Sequence, residues 1–110
     1  MNLNQLSDRV FVCGQVQPDD MSVLAAQGFS AVICNRPDGE DFNQPTAQAV
    51  QKSVEEAGMA FFFVPFNPAQ PDPEMVPKFA DAINQAGEGK ILAYCRSGNR
   101  SSRLWAAVSQ

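Results

Sequence analysis

Apolar and polar positions alternate along this chain in two rhythms. Four mainly apolar runs of strand length stand at Val10-Phe11-Val12-Cys13-Gly14, Phe29 to Cys34, Met59 to Phe66 and Ile91 to Cys95. Between them lie segments whose apolar residues recur every three or four positions, the period of a helix with one buried face. The first segment opens at Gln17-Pro18-Asp19-Asp20, with proline early and acids where the positive helix end favours them, and stops at Gly28. Thr46 can cap a second helix with Ala47, Val50, Val54 and Ala57 as its inner face, ended by Gly58. A proline-rich loop, Asn67 to Pro73, leads to a third, whose buried stripe is Val76, Phe79, Ala80 and Ile83. Pro77 lets that helix begin either there or near Pro73. The last helix, from Gly98 to Val108, faces inward through Leu104, Trp105 and Val108.

Strands and helices that alternate over the whole length predict one domain, residues 1–110. Its expected form is an α/β three-layer sandwich, a central, mainly parallel sheet of about four or five strands flanked by helices. The Met59 to Phe66 run, apolar throughout, reads as a strand covered on both faces. In such sheets ligands bind beyond the carboxyl ends of the strands. Cys95 stands at one of those ends.

Composition narrows the chemistry. With 45% hydrophobic and 18% charged residues the chain has an ordinary globular balance. It contains no histidine, which excludes catalytic triads, Cys-His pairs and histidine metal sites; no metal or cofactor is expected. The net charge of −4 argues against nucleic-acid binding. Yet Lys90, Arg96, Arg100 and Arg103 are half of the eight basic residues, and no acid follows Glu88. A positive patch in an acidic protein points to a local site for a small anion. The three cysteines, an odd number, read as free thiols, and without a signal-like or membrane-spanning stretch the expected location is the cytoplasm.

The segment Cys95-Arg96-Ser97-Gly98-Asn99-Arg100-Ser101 follows a strand and opens a helix. A cysteine there faces the unpaired amides of the first helical turn and nearby guanidinium groups, all of which favour thiolate over thiol. Lowering a thiol pKa from about 8.5 to about 5.5 takes roughly 4 kcal/mol. A helix end at up to about 2 kcal/mol and charge-assisted hydrogen bonds at about 1.5–3 kcal/mol each supply that without histidine. Gly98 lets the backbone turn its amides onto a bound oxyanion, and Ser101 or Ser102 can donate to the sulfur. Read as packing alone, Cys95 would be a buried strand-end residue; Cys13 and Cys34, inside apolar runs, are expected to be just that.

Four segments in order, Gln15-Val16-Gln17-Pro18-Asp19, Ala26-Gln27-Gly28-Phe29, Asn35-Arg36-Pro37-Asp38-Gly39-Glu40 and Cys95 to Ser101 with Leu104-Trp105-Ala106 behind, resemble the phosphatase-like domain of the beta-lactamase hydrolase-like protein family. The resemblance spans nearly the whole chain. It implies a dual-specificity-phosphatase-like fold, and members described either as phosphatases or as rhodanese-type sulfurtransferases, alone or fused to a persulfide dioxygenase. A persulfide dioxygenase is therefore an implied partner.

The residues order these activities. The loop has Cys-x4-Arg spacing, Cys95 to Arg100, with Ser101 where a tyrosine phosphatase carries its arginine. It is one residue shorter than a phosphatase loop and encloses less volume, which suits a persulfide. Phosphoryl transfer also needs an acid for the leaving oxygen. Where related phosphatases place an Asp, this chain has Asn67; Asp72 follows in the same loop and is also placed to cap the third helix. Sulfite or a thiolate leaves without a proton. The expectation is thus a sulfurtransferase in which Cys95 carries a persulfide and Arg96, Ser97, Gly98, Asn99, Arg100 and Ser101 hold thiosulfate or glutathione persulfide. The alternatives are a phosphatase acting on a phosphate ester with Asp72 as acid, or a non-catalytic anion-binding module. Arg36, Asp38 and Asn67 are candidates for the pocket lining, and Arg36 to Asp41 reads equally as a charged surface turn.

Overall fold

The computed structural model describes residues 1–109. Five strands form one sheet: β1 (Asn4–Gln5), β2 (Val10–Cys13), β3 (Phe29–Cys34), β4 (Ala60–Phe63) and β5 (Lys90–Tyr94), in spatial order β1-β2-β5-β3-β4. All neighbours run parallel except β1, which pairs antiparallel with β2. The helices are α1 (Met21–Ala26), entered through a 3-10 turn at Pro18–Asp20, then α2 (Ala47–Glu56), α3 (Met75–Gln85) and α4 (Asn99–Val108).

Strand side chains alternate between two cores, as the period of two requires. Val32, Cys34, Leu92 and Tyr94 pack with Met21 and Leu24 of α1 and Val50 and Val54 of α2. Ala31, Ile33, Ile91 and Ala93 pack with Phe79 and Ala82 of α3 and Leu104 of α4. The result is the expected three-layer sandwich. β5 is its middle strand, with β2 and β3 on either side, and all three end at the same edge, where Cys13, Cys34 and Tyr94 share register.

Three expectations are corrected. The Met59 to Phe66 run is an edge strand, not one covered on both faces: only residues 60–63 pair, with β3 alone, and Ala60 and Phe63 are exposed. A run of aromatics signals burial but cannot say whether a second strand lies alongside. α3 begins at Met75, with Pro77 in its first turn, where the missing N–H has no carbonyl partner to lose. Starting there turns Val76 to solvent and puts Ala82 in the core beside Phe79. In α4, Ser101 and Leu104 are buried, whereas Trp105 and Val108 are only partly covered.

Candidate functional site

Among the described residues the buried polar and charged side chains are Asn35, Arg36 and Ser101. Taking such groups out of water is costly unless every one is bonded. All three lie at the carboxyl edge of the sheet, around Cys95, and among the described residues no buried side-chain nitrogen or oxygen lacks a partner. Among the described residues, the place where the core tolerates polar side chains is therefore the surroundings of Cys95.

The loop from Cys95 to Gly98 is shaped from β2. Cys95 N–H donates to the Cys13 carbonyl at 3.3 Å, and Gln15 N–H to the Arg96 carbonyl at 3.4 Å. Gly14 lies between these bonds, and a Cβ there would stand 2.8 Å from the Arg96 oxygen, so the close approach requires glycine. Gly98 adopts φ 93°, the left-handed conformation that glycine takes without strain, and caps α4. That turn aims its N–H at the Cys95 sulfur, 3.1 Å away.

Cys95 is fully buried, and burial is the largest influence on its pKa, upward. The amides of Ser101, Ser97 and Gly98 and the Ser101 hydroxyl outweigh it together, so the thiol is held below its ordinary value. Ser102 is not a donor to sulfur: its hydroxyl bonds the Gly98 carbonyl at 2.8 Å. Burial pushes the Cys13 thiol up to about 12, with the Cys95 charge adding to it, and pushes Cys34 up as well. Of the three cysteines, only Cys95 is disposed to ionise.

Arg100 leaves the first turn of α4 and is clamped by Glu40, with Nη1 to Oε2 and Nη2 to Oε1 both at 2.8 Å, while Nη1 also reaches the Phe66 carbonyl at 3.0 Å. Glu40 accepts a third bond, from Arg36 Nε at 3.0 Å. These bonds, Arg100's first, hold its carboxyl down to about 2 against the opposing effect of burial. Arg36, 3% exposed, binds Gln15 Oε1 at 3.0 Å and Asp41 Oδ2 at 2.8 Å as well. Arg96 lies 3.6 Å from Asp41 and is largely exposed. Three guanidiniums thus face two carboxylates, which leaves one net positive charge at this edge of the sheet.

Other candidates fall elsewhere. Asp38 accepts from Ala47 N–H at 2.7 Å and serves the start of α2 instead of lining a pocket. Asn67 is exposed and closes a local turn by accepting from Ala69 N–H at 3.0 Å. Asp72 is exposed and bonds Glu74 N–H at 2.9 Å and Lys78 Nζ at 3.3 Å, at the entry to α3. Arg103 lies over the Phe66 ring, 5.3 Å from its centroid. Ser97 and Asn99 are exposed on the loop. The sequence offers Gln15 and Asn35 only as parts of the resembling segments, and Glu40 only within the Arg36 to Asp41 loop, whose charge density hinted at the clamp. Among the described residues no group of His, Cys, Asp and Glu is placed to hold a metal ion, and no helix is long and apolar enough to cross a membrane.

Comparison with known proteins bears on the family and the fold. A Xylella fastidiosa protein named beta-lactamase hydrolase-like protein is 34% identical over 106 residues, which are 96% of this chain and 24% of the relative. The chain thus spans about a quarter of the curated relatives it matches. A crystal structure of a candidate phosphatase from Neisseria meningitidis superposes with a TM-score of 0.81 at 34% identity, covering 92% of this chain and 71% of the other. A second, from Shewanella putrefaciens, gives 0.85 at 24% identity over 97% and 66%, a likeness of fold. The architecture is dual-specificity-phosphatase-like. Residues 2–110 match the model of the beta-lactamase hydrolase-like protein, phosphatase-like domain, and the chain belongs to that family.

Proposed function

We propose that this domain is a cysteine-dependent phosphatase acting on a small phosphate monoester. One observation carries the reading: the Gly98 amide donates to the Cys95 sulfur at 3.1 Å while Glu40 fixes Arg100 on the first turn of the helix that Gly98 opens. The phosphatase names of the family and of the Neisseria structure support phosphoryl over sulfur chemistry.

In this mechanism a thiolate lone pair attacks phosphorus. The S–P bond forms and the P–O bond to the leaving group breaks, its electron pair staying on that oxygen. The loop amides and Arg100 stabilise the charge on the equatorial oxygens. Water then attacks the phosphocysteine, the S–P bond breaks with its pair returning to Cys95 as thiolate, and both protons of the water leave with inorganic phosphate, as dihydrogen phosphate. Two carboxylates are poorly suited to act as the acid of the first step: Glu40 is held ionised, and Asp72 is engaged at the start of α3. The substrate class that fits is therefore one whose oxygen departs as a stable anion, such as an aryl phosphate.

Sulfur transfer is the second reading, favoured by the ring that is one residue shorter and by the missing acid. A dioxygenase partner belongs to that reading. Parallel incubations with an aryl phosphate, with thiosulfate and with glutathione persulfide, followed by intact mass with and without reductant, separate the two. Phosphate release that is lost in Cys95→Ser is expected. A gain of one sulfur on Cys95 without phosphate release would replace the phosphatase reading.

A further inference from the structure

We infer that Asn35 is a positioning residue that competes with the Cys95 sulfur for the single hydroxyl proton of Ser101. The inference rests on the reading above in taking Cys95 as the nucleophile and, for the return of the proton, in taking a phosphoryl group as what the sulfur carries. Ser101 is fully buried, and its Oγ donates to Asn35 Oδ1 at 2.8 Å. The amide of Asn35 cannot turn over, because its Nδ2 donates to the Val64 carbonyl at 2.9 Å. Nor can the residue swing away: its N–H donates to the Tyr94 carbonyl at 2.8 Å and its carbonyl accepts from Phe66 N–H at 2.9 Å. Asn35 thus presents a fixed acceptor to a hydroxyl that also helps to hold the Cys95 thiol below its ordinary value.

A serine hydroxyl has one proton to give. A charged acceptor binds it roughly twice as strongly as a neutral one. While Cys95 is a thiolate, the proton is drawn to sulfur; once sulfur carries a phosphoryl group its charge is gone and the proton returns to Asn35. When the S–P bond breaks, the proton swings back to the departing thiolate. Asn35 gives the proton a resting place and thereby keeps the thiolate less stabilised, and more nucleophilic, than the loop alone would make it. The charged and titratable groups around this sulfur are Arg96 and Arg100 on its own loop and helix, Cys13 on β2, and Glu40 and Arg36 acting through Arg100 from the β3–α2 loop.

The test is the pH profile of iodoacetamide alkylation at Cys95, read by peptide mass, which needs no turnover. Ser101→Ala is expected to raise the midpoint. Asn35→Ala, with the competing acceptor removed, is expected to lower it by about half to one pH unit, and to have no effect when Ser101 is already alanine. A midpoint that rises in Asn35→Ala, or that moves equally without the Ser101 hydroxyl, would show a scaffold role only and overturn the inference. If Asn35→Ala does not fold, the side-chain amide resonances of Asn35 in the unsubstituted protein decide. They are expected to shift through the Cys95 midpoint and to stay still in Ser101→Ala; resonances that ignore the midpoint overturn it. Failure of aryl phosphate hydrolysis would remove the phosphatase reading and leave these readouts intact.

Discussion

Replacing Glu40 by glutamine tests the clamp directly, since the amide keeps the shape and removes the charge. In the folded protein the carboxyl is held at about 2 against an ordinary 4.5, chiefly by the bidentate Arg100 and also by Arg36. That gap of about 2.5 on the pH scale, at about 1.4 kcal/mol each, bounds the contribution at about 3 kcal/mol. With 28% of the side chain in solvent, screening reduces it to about 1–2 kcal/mol. The sign follows from linkage: a depressed folded pKa gives stability that is full above the unfolded value and fades as pH falls from about 4.5 through about 2. Urea unfolding of both proteins at pH 7 and pH 3 measures it. Glu40→Gln should be less stable by about 1–2 kcal/mol at pH 7, and more than half of that difference should vanish at pH 3. A difference under about 0.5 kcal/mol at pH 7, or one that does not change with pH, would refute the clamp.

Gly14→Ala pushes a methyl to 2.8 Å from the Arg96 carbonyl, so a loss of about 1–3 kcal/mol in urea stability is expected, together with a slower alkylation of Cys95. In the unsubstituted protein, iodoacetamide at pH 7 should label Cys95 before Cys13 or Cys34, whose thiols burial holds in the neutral form; early labelling of Cys13 by peptide mass would contradict this. Asp72→Asn should leave the acid limb of aryl phosphate turnover where it is, because Asp72 is occupied at the α3 terminus; a vanished limb would make it the general acid after all.

The layers, the strand ends and the place of Cys95 were legible because each rests on local pattern: period two in Phe29 to Cys34, period three to four in Ala47 to Val54, and a cysteine between a strand and a glycine-led helix. What stayed hidden was non-local. Glu40 meets Arg100 across 60 positions, and Ser101 meets Asn35 across 66. A polar residue after a strand, such as Asn35, reads as loop until the fold buries it. The edge position of β4 was equally unreadable, because Phe61, Phe62 and Phe63 carry no sign of which strand is absent beside them.

The strand order has a consequence for how this site fails. β5 is the middle of the five strands, so Cys95 is tethered to the segment whose amides should be among the last to exchange with deuterium, opening only with the whole domain. The carboxylate that holds Arg100 hangs instead on an excursion between β3 and α2, where the Glu40 and Asp41 amides are pinned by Gln44 side-chain bonds exposed to water. Warming should therefore unfasten the cation before it disturbs the sulfur, leaving an intermediate stage in which Cys95 is still in place but anions are poorly gripped.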